Sequence, residues 1–233
     1  IIAGTFILLA LILAGYFIIS NVITPSKEQE KSIAVLPFQN YSEDSGQEYM
    51  SNGLTEEIIN HLYKIKSFNI VVSLSTVMTY KGSNKKIPVI ASELKVNYIL
   101  EGTYKKIGDS VRINVHLVNP KKDGYIWQHE YDKPFSEIIN IQADIALQIA
   151  DQVKAFITGS ERQNLQNIPT VDPEAYKLYQ QGRYFWNKRT REGLLKSIDF
   201  YEKSIMKDPG YAMAYAGLAD TYNILVFWDW WPA

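Results

Sequence analysis

The length, composition and charge of the chain exclude several classes of protein. It has 233 residues, of which 46% are hydrophobic and 21% charged, with 24 Lys and Arg against 25 Asp and Glu and no cysteine. High apolar content and a net charge of -1 are typical of a folded chain, and the length allows one or two domains with cores. The lack of cysteine excludes disulfide scaffolds and thiol chemistry. The lack of a basic excess argues against nucleic-acid binding by this chain.

The first 23 residues predict a transmembrane helix. Residues 1–23 contain no charged side chain, and a helix of this length crosses a hydrocarbon core of about 30 Å. The alternative is a signal peptide, but Thr24, Pro25 and Ser26 offer no small-residue cleavage site. No start Met precedes Ile1, so we expect a fragment cut inside or just before its anchor. Residues 24–31 follow as a linker.

Residues 32–157 show the pattern of an α/β (α+β) sandwich domain with a mixed sheet. Residues 32–38 and 68–73 are short apolar, β-rich runs that predict buried strands. Between them an apolar stripe at helical spacing predicts a helix, and residues 87–96 predict a second helix with Pro88 in its first turn. The residues of the stripe are Met50, Leu54, Ile58, Leu62 and Ile65.

The second half of this domain predicts an antiparallel meander covered by a long helix. Residues 97–107, 110–119 and 124–131 alternate apolar and polar side chains and are separated by turn residues. A helix stripe follows, opened by Asp132 and Pro134, and its apolar face should cover the sheet. The stripe consists of Ile138, Ile141, Ile145, Ile149, Val153 and Phe156.

Beyond a predicted linker at residues 158–171, residues 172–233 predict tetratricopeptide repeats, one complete and one truncated. Gly182 aligns with Ala219, and Phe185 aligns with Tyr222, which gives a period of 37 residues. The tetratricopeptide period is 34, and the loop at residues 187–193 can absorb the difference. Each hairpin leaves an apolar face that a neighbour must cover, so we expect the natural protein to continue beyond this chain.

The predicted α/β domain resembles a known bacterial family. The runs at residues 32–62, 80–82, 90–119 and 126–153 resemble the TolB amino-terminal-domain-like module, which in many bacterial proteins lies between a membrane helix and tetratricopeptide repeats. The resemblance implies a single-pass protein of the bacterial inner membrane with these modules on the periplasmic, extracytoplasmic side. It also implies an output domain before the membrane helix: a winged-helix DNA-binding domain, a nucleotide cyclase or a Ser/Thr kinase.

No pattern in the chain predicts catalysis, so we expect it not to be an enzyme, and we predict no catalytic residue, cofactor or metal site. His61, His116 and His129 lack metal-ligand spacing. Glu56 and Glu57 are adjacent, so on a helix they point about 100° apart and cannot converge as a catalytic pair. Their spacing predicts a solvated face.

The candidate binding residues lie on the first helix of the repeats. In the register set by Gly182, the concave face of that helix should carry aromatic, amide and guanidinium side chains, which dominate binding hot spots. They are Tyr176, Tyr179, Arg183, Trp186 and Asn187. The alternative is that Tyr176 and Trp186 pack against the α/β domain or the linker. The binding hypothesis predicts that Arg183→Ala weakens a partner contact without lowering thermal stability.

The sequence therefore predicts a membrane-anchored module that binds a protein or peptide through its repeats, as the extracytoplasmic sensory half of a signalling protein. Three alternatives remain open at this point: part of a membrane-tethered winged-helix transcription regulator, part of a cyclase or kinase whose effector lies upstream of Ile1, and a cell-envelope assembly factor. A homodimer is possible, because cyclases and operator-binding modules typically act in pairs.

Overall fold

A six-stranded mixed sheet forms the centre of the fold in this computed structural model, which describes residues 30–122, 124–167, 169–170 and 172–230. From Lys31 onward the described residues belong to one compact unit. The strands are β1 (Ser32–Val35), β2 (Gln39–Asn40), β3 (Ile70–Val71), β4 (Tyr98–Ile107), β5 (Ser110–Val118) and β6 (Tyr125–Pro134).

The sheet combines a parallel part with an antiparallel meander. Its strand order is β3-β1-β4-β5-β6, and β2 also pairs with β4. Strand β1 runs parallel to both β3 and β4 and is buried along its whole length, as expected for a parallel strand covered on both faces. Strands β4, β5 and β6 are antiparallel. Alternate residues of β5 are buried, Val111, Ile113, Val115 and Leu117 among them, so the predicted meander is confirmed.

Eight α-helices are found in the described part of the chain. They are α1 (Glu48–Tyr63), α2 (Leu74–Met78), α3 (Ile87–Leu94), α4 (Ile138–Gln152), α5 (Gly159–Leu165), α6 (Pro173–Asn187), α7 (Arg191–Lys207) and α8 (Ala212–Phe227). Helices α1 and α4 pack against each other, α1 contacts β1 and β4, and α4 contacts β6. The apolar stripes predicted for α1 and α4 enclose the main core with the sheet.

Two details of this region differ from the sequence analysis. Phe156, the last residue of the predicted α4 stripe, lies beyond the end of the helix and is 74% exposed. Within the predicted linker, α5 forms behind a capping box in which Thr158 and Glu161 satisfy each other's backbone N–H groups. Leu165 of α5 is buried and belongs to the main core, so this segment packs against the α/β domain.

The last three helices form two successive helical hairpins, in which α7 packs on α6 and α8 packs on α7. Tyr201 of α7 lies where the helices meet. A Cβ atom at Gly182 would stand 2.5 Å from its ring, and one at Gly217 would stand 2.6 Å from it. Glycine is therefore required at both positions, because the helices approach through these two contacts. The hairpin order agrees with the predicted repeats, and their assignment as tetratricopeptide repeats stays a prediction.

The fold-class prediction is wrong in counting a transmembrane helix, as far as the described residues extend. Among them, no helix is long and apolar enough to cross a membrane. The longest, α7, has 17 residues, which gives about 26 Å against a hydrocarbon core of roughly 30 Å. The predicted span at residues 1–23 lies outside the described residues. The observed fold is a mixed α/β domain followed by helical hairpins.

Candidate functional site at the junction groove

A groove of about 770 Å³ lies where the α/β domain meets the helical hairpins. We call it the junction groove. Helices α1 and α2 line it from one side, and α6 with the turn after it from the other. Its walls include Glu56, Met78, Arg183, Trp186, Asn187 and Arg189.

Close contact between α1 and α6 brings the two walls together. Gly53 lies inside α1 and faces Gln180 of α6, and a Cβ atom at this position would overlap the Gln180 side chain. Glycine inside a helix lowers its stability, so its presence here is explained by the close approach of α6.

A buried ion pair between α1 and α6 joins the two walls of the groove. Arg183 Nε donates a hydrogen bond to Glu56 Oε1 at 3.0 Å, and Nη2 contacts the same oxygen. Asn187 Nδ2 donates to the other carboxylate oxygen at 3.2 Å. The side chains of Arg183 and Glu56 are 16% and 9% exposed. Burial disfavours the charged guanidinium, but the adjacent Glu56 carboxylate outweighs it and raises the pKa of Arg183.

Glu57 lies in the same interface and is also buried. Burial, followed by repulsion from the Glu56 carboxylate, raises the pKa of Glu57 to about 7. The predicted solvated face at Glu56 and Glu57 is therefore wrong. The physical reason is that α6, which lies far along the chain, covers this face of α1.

Trp186 provides an aromatic surface in the groove for two cations. The guanidinium carbon of Arg183 is 4.3 Å from its ring centroid, and that of Arg189 is 3.6 Å from it. Burial and the nearby Arg183 charge lower the pKa of Arg189. Among the described residues, Arg189 has no ion-pair partner. The groove thus carries a stacked guanidinium that feels the charges of Asp220 and Glu56 but forms no ion pair with either.

The five residues predicted to bind a partner fall into two sets. Arg183, Trp186 and Asn187 line the junction groove, where their predicted role stays a prediction. Tyr176 and Tyr179 are buried: Gln142 of α4 donates a hydrogen bond to the Tyr176 hydroxyl, and Tyr179 packs in the hairpin core with Tyr201 and Tyr211. For Tyr176, the packing alternative describes the observed position.

Sequence reasoning missed several residues of the groove. Glu56, Met78, Lys188 and Arg189 were not among the predicted binding residues, although Gly53 inside a helical stripe and the basic loop after α6 were available signals. The histidines lie elsewhere: the His61 ring bonds the Glu57 carbonyl, and His116 stacks on Tyr125. In the part of the chain that the structure describes, no group of His, Asp and Glu side chains is arranged to hold a metal ion.

Fold and site together define a mixed α/β domain joined through a buried ion pair to helical hairpins, with an open groove at the joint. Residues 29–150 match the family model of the HilA/YgeH-like transcriptional regulator, second domain. The chain belongs to this family. The sequence also resembles a TolB-like module, and a TolB structure is among the partly similar folds described below.

A curated relative extends the similarity beyond the family match. The putative adenylate cyclase 3 of Rhizobium meliloti (strain 1021) is 30% identical over 195 residues, which cover 84% of this chain and 33% of the relative. The chain therefore spans about a third of the length of this relative.

Several solved structures are partly similar in fold. TolB from Acinetobacter baumannii is 17% identical, with 56% of this chain and 30% of that chain covered and a TM-score of 0.41. Lipoprotein GNA1162 from Neisseria meningitidis is 16% identical, with 52% and 99% covered and a TM-score of 0.39. The LpoB C-terminal domain from Salmonella enterica is 15% identical, with 50% and 93% covered and a TM-score of 0.36.

Proposed function

We propose that the described region is a non-catalytic recognition module of a larger signalling protein, and that it binds a protein partner in the junction groove. The observation that carries this proposal is the contact of the buried Glu56 with Arg183 and with the exposed Asn187. It makes one surface from two structural parts, so a partner in the groove touches the α/β domain and the hairpins at once.

The ion pair keeps the groove walls together. Separating Glu56 from Arg183 would leave a buried charge without its partner, which costs about 3–5 kcal/mol. The groove is therefore preformed, and a partner does not have to order it before binding.

The chemistry of the walls suits a protein partner. Trp186 and Arg183 are of the residue types that most often carry binding energy at protein interfaces, and Leu74 and Met78 add apolar surface from α2. Aromatic, aliphatic and charged side chains in one open groove are the mixture that protein interfaces use.

The output of the full protein is proposed from its relatives. An alignment of 195 residues within this chain must include residues 39–195, so the similarity to the putative adenylate cyclase covers both walls of the groove. We therefore favour a nucleotide cyclase as the output domain. The second candidate is a transcription regulator with a winged-helix domain, which the family description favours. The location outside the cytoplasm stays a prediction.

Site-specific cross-linking tests the proposal. A photo-reactive amino acid replaces Ser75, an exposed residue at the groove, in the full-length protein in cells, and replaces the exposed Glu130 of β6 in a matched control. We expect a protein adduct at position 75 and none at 130, and purified partner should reproduce it and change the output activity. No adduct at 75, or the same adduct at both positions, contradicts the proposal.

A further inference from the structure

The charges in the junction groove do not balance. Lys81 forms an ion pair with Glu48, and Arg183 with Glu56. Two further cations line the groove, Lys188 and Arg189. Within the described residues neither has a carboxylate at ion-pair distance. Asp220 and Glu56 act on Arg189, and Glu192 interacts with Lys188, only from farther away. The two lie side by side after α6, so the groove carries a local positive excess on a chain whose net charge is -1.

Both unpaired cations are held by aromatic rings. The Lys188 ammonium lies 4.7 Å from the ring centroids of both Tyr184 and Phe185, and Arg189 lies over Trp186. A guanidinium stacked on a ring keeps the N–H donors along its edge for a carboxylate or phosphate acceptor. Arg189 is therefore a pre-positioned donor for an anionic group.

We propose that the occupant of the junction groove is an acidic peptide segment of the partner, whose carboxylates accept hydrogen bonds from the Arg189 guanidinium and lie near the Lys188 ammonium. This inference rests on the proposed function and names the chemistry of the partner. An acidic peptide fits better than nucleic acid, because the chain has no overall basic excess and because Leu74 and Met78 offer apolar contacts that a phosphate backbone does not use.

Fluorescence anisotropy with defined peptides tests the inference on the full-length protein. The probe is a labelled peptide of alternating Glu and Leu, and its matched control carries Gln in place of every Glu. We expect the Glu peptide to bind more tightly than the Gln peptide by about tenfold or more, as hydrogen bonds between charged groups allow. Equal binding of the two peptides would overturn the inference.

Three variants connect the effect to Arg189. Arg189→Gln should weaken binding of the Glu peptide by about tenfold and leave the Gln peptide unchanged. Arg189→Lys keeps the charge but loses the planar donor edge, so its affinity should lie between the two. Arg112→Gln, at an exposed ion pair on β5, is the control and should not change binding. Thermal melting confirms that each variant is folded, and an unchanged affinity in folded Arg189→Gln contradicts the inference.

The outcomes separate this inference from the proposed function. A partner that cross-links at position 75 but binds Arg189→Gln as well as the unchanged protein overturns the acidic occupant and leaves the binding function standing. Binding of a single-stranded oligonucleotide in place of the Glu peptide, lost in Arg189→Gln, overturns it in favour of a nucleic-acid ligand. Absence of any adduct at position 75 defeats both proposals.

Discussion

Arg183 of α6 and Glu56 of α1, 127 positions apart in the chain, form a buried ion pair that joins the helical hairpins to the α/β domain. This ion pair gives both residues a structural role that the sequence analysis did not predict. Arg183 was predicted to face a partner, and Glu56 was predicted to face solvent. In the structure each neutralises the other, and Arg183 also lines the junction groove.

The first prediction concerns the stability that this pair provides. Arg183→Ala should lower the free energy of unfolding by about 3–5 kcal/mol, because it leaves Glu56 buried without its partner. This reverses the expectation from sequence that Arg183→Ala leaves thermal stability unchanged. Urea unfolding measures the effect. The matched control is Arg112→Ala, which removes an exposed pair with Asp132 and should cost less than about 1 kcal/mol. Equal losses for the two variants would count against the buried pair.

The second prediction is a pH dependence from Glu57, whose pKa rises from 4.5 to about 7 in the folded protein. Between these values the folded chain holds a proton that the unfolded chain has released. The contribution of Glu57 to stability therefore falls as pH rises from 4.5 toward 7 and is constant above that.

Glu57→Gln replaces the ionisable carboxyl group by a neutral amide, so it should stabilise the protein above pH 7 by on the order of 2–3 kcal/mol. Unfolding free energies of the variant and the unchanged protein, measured from pH 4.5 to 8, should diverge as pH rises. Glu43→Gln, at an exposed position, is the control. A difference that stays constant with pH would contradict the buried position of Glu57.

The third prediction concerns the helical hairpins. Gly182→Ala places a methyl group against the Tyr201 ring, so it should destabilise the protein by about 1–3 kcal/mol through overpacking. Gly159→Ala, where nothing lies within 4 Å of the added methyl group, is the matched control. Because alanine favours helix more than glycine, this control should be neutral or slightly stabilising. Thermal melting compares the two, and equal melting temperatures would be inconsistent with the packing of α6 on α7.

Local patterns were sufficient to predict which face several elements bury. The alternation in β4 and β5 and the apolar stripes of α1 and α4 report that face. Such patterns do not report which element does the covering. They therefore failed for Glu56 and Glu57, which α6 covers from far along the chain, and for Tyr176, which reaches Gln142 of α4.

Short helices could also not be predicted from hydrophobic periodicity. Helix α2 has five residues and α5 has seven, too few turns for a stripe to emerge. Helix α5 had a local signal in Thr158 and Glu161, whose spacing is that of a capping box. The groove residues of α2 had no such signal.

The central claim is that a protein partner binds in the junction groove. Its most direct test uses the partner identified by cross-linking, purified on its own, and measures its affinity for the full-length protein carrying Trp186→Ala. The account predicts a loss of about 2 kcal/mol, near thirtyfold in Kd, whereas Trp127→Ala on β6 should bind as the unchanged protein does. Undiminished affinity in folded Trp186→Ala would contradict the account.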